Sequence, residues 1–224
     1  MAPSDPSSFK IILGSSSSSR RQILTEMGYQ FTVMTADIDE KAIRMQTPEE
    51  LVMTLAEAKA EAIMSKLELD AYKEDPVPTL LITADQFIAF NSNASPSIQS
   101  FLEVVVHGGL IREKPTSKEE AREFIKGYSG EHASTVGSVF VTNLKTGIRK
   151  GQSDKTEVYF HEIPDEVIDN LIEEGHVLKV AGGLLIEHPL TWPFVEAVVG
   201  TIDSVMGLPK ALTESLIQQA LEII

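Results

Sequence analysis

Residues 14–24, GSSSSSRRQIL, place five serines and two arginines directly before an apolar run. Serine hydroxyls, the backbone N–H groups of a helix start and two guanidiniums together make a cradle for phosphate, the guanidiniums supplying paired donors. Arg20 and Arg21 fall in the first turn of that helix, where unpaired N–H groups already carry partial positive charge and disfavour arginine by up to about 1 kcal/mol. An anion would offset this cost. The alternative is a solvated pair neutralised by local carboxylates such as Glu26, and the Gly-Lys-Ser/Thr of a Walker loop is absent.

Lys59 is a second misplaced cation. Stepping about 100° per residue from Leu51, the apolar positions Val52, Leu55, Ala56, Ala58, Ala62, Ile63 and Leu67 span an arc whose middle falls near Lys59. Its ammonium emerges on the core-facing side, either to snorkel past a short element or to enter a cleft. Asp85 interrupts the apolar run LLITADQFIAF, where a carboxylate must be hydrogen-bonded, paired or metal-bound unless a strand end or bulge turns it to solvent. Glu40, ending the DIDE turn, could join it: two carboxylates with water oxygens suit Mg²⁺ or Mn²⁺, although acidic turns are also commonly just solvated. Lys114, beside Pro115, reads as an ordinary surface lysine. The five histidines lack zinc spacing and no G-x-S-x-G elbow accompanies the serines, so triad chemistry is poorly supported.

The elements that must position these side chains follow from local signals. FKIIL has strand composition and is broken by Gly14; a serine near 17–19 caps a helix carrying Ile23, Leu24 and Met27, with Gly28 at its left-handed end. A strand then leads into the acidic turn. Thr47-Pro48-Glu49-Glu50 is a capping box for a helix expected to reach about Leu67. DAYKEDPVP reads as a polar link to the Asp85 strand. TSKEEAREFIKGYSG, PDEVIDNLIEEG and the amphipathic LPKALTESLIQQALEII read as further helices, with strands near 134–143 and 155–161 and a glycine loop at Gly182 and Gly183. Strands and helices mix without strict βαβ alternation.

The 224 residues, 42% of them hydrophobic, can bury a substantial core. We expect residues 1–9 to form a flexible N-terminal tail and 10–224 a single domain, with 91–109 an insertion. A net charge of −14, from 19 Lys and Arg against 33 Asp and Glu, repels nucleic acid polymers and anionic membranes. A small anion remains possible if cations are gathered locally. No apolar run approaches the roughly 18 residues of a membrane span and no basic-then-apolar leader opens the sequence, so a cytoplasmic setting is expected. With no cysteine, disulfides, thiolate metal sites and a nucleophilic thiol are excluded.

ILGSSSSSRRQIL, DIDE, LAEAKAEA, ITADQ, REKP, GYSG, VYFHEIPDEVIDNLIEEG, AGG and MGLP resemble, in order and spacing over residues 10–209, the Maf family of nucleoside triphosphate pyrophosphatases. The resemblance implies a mixed α/β (α+β) fold similar to the inosine triphosphate pyrophosphatases, with a long curved mixed sheet and two lobes around a central cleft. It implies hydrolysis of a small-molecule nucleoside triphosphate to the monophosphate and pyrophosphate with Mg²⁺ or Mn²⁺. Carried over by motif, Asp85 would be the proton acceptor that activates water, Glu40 with Asp85 would hold the metal, and Ser15, Arg20, Arg21, Lys59 and Lys114 would grip the triphosphate. Family precedent and the apolar C-terminal helix make a homodimer the expected assembly.

Substrate choice is carried by departures within the family. Members resembling the dTTP/UTP enzymes usually have Arg before the paired arginines, Thr after the catalytic Asp and Gln in an IQG motif; here these positions are Ser19, Gln86 and Glu187. Gln86 and Glu187 resemble instead the 7-methyl-GTP branch, in which Trp usually stands at the place of Ser19. A carboxylate at 187 would accept hydrogen bonds from the donor edge of guanine and complement the positive charge of a 7-methylated base. The family's usual Pro is replaced by Ser18. A nucleotide-sensing interaction protein that regulates cell division without turnover is the alternative, and is favoured if the insertion displaces Lys114.

Overall fold

The computed structural model describes residues 8–90, 110–112 and 114–221. KIIL forms β1 (Lys10–Leu13), and the serines beyond Gly14 start α1 (Ser18–Glu26). Ser17 caps that helix, its side chain accepting from the Arg20 N–H at 3.4 Å, Ile23 and Leu24 are buried, and Gly28 ends the turn at φ +83°. β2 (Phe31–Val33) follows, and Glu40–Ala42 makes a single 3₁₀ turn. The capping box of α2 (Pro48–Met64) is complete: Glu50 N donates to Thr47 Oγ1 at 3.2 Å, and Thr47 N donates to the Glu50 carboxylate at 3.3 Å. Part of the polar link expected after it is the short helix α3 (Leu69–Glu74), in which only Leu69 and Tyr72 pack on the core and neither is fully buried, too little of a stripe to betray it.

β3 (Thr79–Phe90) takes in the whole of LLITADQFIAF, the strand expected there, and Asp85 is neither at its end nor in a bulge. The strand is continuous, in unbroken antiparallel register with β5 (His132–Asn143) from Leu80 opposite Asn143 to Ala89 opposite Ser134. The remaining elements are β4 (Leu110–Arg112), α4 (Lys118–Tyr128), β6 (Arg149–Phe160), α5 (Asp165–Glu174), β7 (Val195–Val199), α6 (Ile202–Val205) and α7 (Lys210–Leu221). Gly175 closes α5 in the left-handed conformation, as its position suggests.

One seven-stranded mixed sheet runs in the order β2-β1-β3-β5-β6-β7, with β4 on β3 as well. On the side of β3 away from β5, β1 pairs in parallel with residues 79–82 and β4 pairs antiparallel with residues 88–90. Among the described residues no strand lies beside 83–87 there. Asp85 and Gln86 lie in this gap.

The gap also separates two apolar clusters. Leu80, Ile82 and Ala84 of β3 pack with β1, α1 and α7, whereas Ile88 packs with Ala121 and Ile125 of α4 and with Ile168 and Leu171 of α5. The opposite face of the sheet carries α2, whose Ala56, Ala60 and Ile63 lie against Leu81 and Phe140. Two buried hydroxyls fix α2 to the strands: Thr83 Oγ1 donates to Ala56 O and Ser138 Oγ donates to Val52 O, both at 2.7 Å. The apolar stripe of α7 is buried, with Leu216, Ile217 and Ala220 in the chain's own core, so this helix offers no argument for a homodimer. The proposed insertion at 91–109 and the tail lie outside the described residues, apart from Ser8 and Phe9. No helix among the described residues is long and apolar enough to cross a membrane.

Candidate active site

Because β3 side chains alternate, Thr83, Asp85 and Phe87 face α2, while Ala84, Gln86 and Ile88 face α1, α6 and α4. Lys59 sits one turn beyond Ala56 on α2, directly over Asp85. Its Nζ lies 3.1 Å from Asp85 Oδ1 and 2.9 Å from Glu40 Oε1, so the core-facing cation of α2 bridges two carboxylates. Lys59 and Asp85 side chains are only 13% and 11% exposed, which rules out simple snorkelling into water. Asp85 Oδ1 also accepts from Gln86 N at 3.0 Å. Asp85 Oδ2 is buried without a hydrogen-bond partner among the described residues, a costly state for a carboxylate oxygen unless a ligand completes it.

The two arginines divide their work in a way their adjacency conceals. Arg20 turns inward: Nε donates to Gly207 O at 2.9 Å, and Nη1 donates to Ala84 O at 2.9 Å and to Ser15 Oγ at 3.2 Å. It takes up the β3 carbonyl that a neighbouring strand would otherwise pair. Burial lowers the affinity of this guanidinium for its proton, against the opposing pull of Asp85 and Glu40. Arg21 is exposed, and its guanidinium has no partner among the described residues. Ser15 Oγ accepts from both Arg20 and Ser17 N, leaving its own proton to donate. Gln86 gives both amide hydrogens to carbonyls, Ser204 O at 2.8 Å and Val205 O at 3.0 Å, and so ties α6 to the gap. Gly207, at φ +97°, admits this convergence: a Cβ there would come within 2.8 Å of Gln86 Oε1.

A cavity of about 870 Å³ opens over the gap and brings together every expected site residue: Ser15, Arg20, Arg21, Glu40, Lys59, Asp85, Gln86, Lys114 and Glu187. Six Lys and Arg line it against three acids, in a chain whose acids outnumber its bases. Lys114 is exposed at its wall. Leu184, Leu185 and Ile88 give the cavity an apolar side, and Glu187 lies with them. Glu187 reaches solvent, but partial desolvation by the surrounding protein raises its carboxyl from its ordinary value, opposed by its backbone N–H and by His188. His188 anchors this loop, its Nδ1 accepting from Leu190 N while Nε2 meets Glu174 at 2.8 Å.

Sequence reasoning missed the bracing groups: Thr83, Ser138, Ser204, Gly207 and the His188–Glu174 contact. For Thr83 and Ser138 the available signal was a hydroxyl within an apolar strand; for the others the partner is too distant in sequence to be read. Among the described residues no three His, Cys, Asp or Glu side chains cluster as a metal cage. Glu40 and Asp85, with the orphaned Oδ2, are nonetheless a donor set that fits Mg²⁺ or Mn²⁺, since such ions are commonly held by one or two carboxylates plus phosphate oxygens and water.

A family model described as Maf-like protein matches residues 10–220. The chain is 38% identical over 209 residues to a 7-methyl-GTP pyrophosphatase of Dictyostelium discoideum, covering 93% of this chain and 96% of that protein. It is 30% identical over 200 residues to a dTTP/UTP pyrophosphatase of Alkaliphilus metalliredigens, covering 89% and 90%, and 33% identical over 204 residues to one of Thermotoga maritima, covering 91% and 85%.

Proposed function

The chain belongs to the Maf-like family, and on that premise we propose that it is a nucleoside triphosphate pyrophosphatase that releases pyrophosphate from a modified purine nucleotide, 7-methyl-GTP before dTTP or UTP. The observation that carries this reading is the basic cavity of an acidic protein, built over a stretch of β3 paired on one side by β5 but, among the described residues, by no strand on the other, with Asp85 at its floor. The charge excess suits a polyphosphate, and the apolar wall beside Glu187 suits a base.

In the proposed reaction a water oxygen attacks the α-phosphorus, its proton passes to Asp85 Oδ2, and the bond to the α,β-bridging oxygen breaks with its electron pair on departing pyrophosphate. Gln86 N holds Oδ1, joined there by Lys59 in the empty site, which leaves Oδ2 as the acceptor. Arg21, Lys114 and the Ser15 hydroxyl lie around the cavity as phosphate ligands, stabilising charge on the leaving group. Glu40 and Asp85 would hold a divalent cation, which supplies polarisation of the phosphoryl oxygens and a more acidic water. Arg20 and Gln86, whose donors are largely engaged by backbone, support the site's walls. Glu187 faces the base, where its carboxylate would accept from guanine N–H groups. A cytoplasmic, homodimeric enzyme belongs to the same proposal, the homodimer resting on family precedent alone.

Incubation with a panel of triphosphates and Mg²⁺ or Mn²⁺, read as pyrophosphate release, tests it. Turnover of 7-methyl-GTP above UTP is expected. Binding of the nucleotides without release would sink the enzyme and leave a nucleotide-sensing protein.

A further inference from the structure

We propose that Lys59 is the resident counterion of the Glu40–Asp85 pair, and that it keeps a divalent cation off these carboxylates until a triphosphate is bound. The inference deepens the pyrophosphatase reading and rests on it for the identity of the anion. Glu40 stands on a single 3₁₀ turn with its side chain 51% exposed, and its contact with Lys59 Nζ is what directs it toward Asp85. Lys59 itself is fixed from behind, because the two buried hydroxyls of Thr83 and Ser138 hold the preceding turns of α2 to the sheet. An ammonium at 2.9 and 3.1 Å from the two carboxylates occupies the region where a cation would have to draw them together.

Charge and donor count lead to the same order of events. Glu40 and Asp85 are balanced by Lys59 and by Arg20, on which both carboxylates act. A free divalent cation therefore meets no net negative field. Among the described residues it finds only these two carboxylates and no third acidic or histidine ligand nearby. A bound triphosphate changes both terms, adding about four negative charges and several phosphate oxygens of the kind Mg²⁺ takes from substrates. Lys59 can then turn its ammonium toward phosphate while the cation takes the carboxylates. Lys59 is thus a positioning residue for the empty site and becomes a phosphate ligand only in the filled one.

The test is titration of Mn²⁺ into the nucleotide-free protein, followed by electron paramagnetic resonance of free Mn²⁺. Wild type is expected to bind Mn²⁺ weakly, with Kd on the order of 1 mM. Lys59→Met is expected to bind it on the order of tenfold more tightly, and Lys59→Arg to remain as weak as wild type. A merely structural role for Lys59 would lower the affinity of the Met variant. Tight binding by nucleotide-free wild type, or no gain in a folded Lys59→Met, overturns the proposal; the wild-type titration decides even if that variant does not fold. A second arm measures binding of α,β-methylene 7-methyl-GTP and α,β-methylene UTP with and without Mn²⁺, where at least one analogue should bind more tightly with the metal. No arm requires turnover, so a failed pyrophosphate assay and a failed metal titration are separate results.

Discussion

Arg20→Lys separates brace from ligand within a pair of adjacent arginines. Arg20 makes three hydrogen bonds in three directions, to Gly207 O, Ala84 O and Ser15 Oγ. A lysine nitrogen on a flexible stem cannot reproduce that fork and keeps about one of the three. Each hydrogen bond from a charged donor contributes about 1.5–3 kcal/mol, and Arg20 is only partly buried, so water replaces some of the loss; we take the lower end and expect a destabilisation of about 3 kcal/mol. For a chain of this size that lowers Tm by about 6–12 °C. Arg21→Lys, an exposed change, should stay within about 0.5 kcal/mol of wild type. Thermal and urea unfolding measure both, and steady-state kinetics complete the contrast: Arg20→Lys lowers kcat because the serine loop and the Gly207 turn lose their common anchor, whereas Arg21→Lys raises KM. An Arg20→Lys protein melting within 2 °C of wild type (roughly 0.5–1 kcal/mol), or an Arg21→Lys protein equally destabilised, would refute the division.

Asp85→Asn should retain the fold and the bond from Gln86 N yet lower kcat by about 10²–10⁴, read from pyrophosphate release beside an unchanged circular dichroism spectrum. Because partial desolvation raises the Glu187 carboxyl above its ordinary 4.5, kcat/KM for 7-methyl-GTP should fall on the acid side with a midpoint above that value, and Glu187→Gln should weaken this limb and narrow the preference over UTP. Tyr128, whose hydroxyl donates to Gly182 O at 2.8 Å, has its phenol pushed by burial from 10.0 up to about 12. The native state therefore holds that proton more tightly than the unfolded chain. The resulting stability is fully present below about pH 10 and is lost between pH 10 and 12, a total of about 3 kcal/mol that urea titrations should show for wild type and not for Tyr128→Phe.

Much of the site was legible because its residues violate local preference. Arginine at a helix start and lysine on an apolar helix face are visible without a partner, and all three cations line the cavity, Lys59 paired with Asp85 and Glu40. The division between Arg20 and Arg21 was not visible, since it depends on carbonyls 64 and 187 positions away in sequence. Asp85 stands out within its strand, but sequence shows the carboxylate without showing that β1 and β4 stop on either side of it. Helix signals at Thr47 and Gly175 were read correctly because caps are local chemistry. The stripe on α7 was equally clear, but amphipathicity states that a face is covered, and not whether the cover is the same chain or a second copy.

The alternation of β3 ties chemistry to alignment. A slip of one position against β5 would turn Asp85 toward α6 and deliver Gln86 beneath Lys59, exchanging an acid for a neutral amide at the proposed reacting centre. With Asp85 as the proposed base, turnover would report on strand alignment, and a misaligned but well-folded molecule would be silent. The pairs Asp85–Ser138 and Thr83–Phe140, held under α2 by their hydroxyls, are the pins that keep such silent molecules rare.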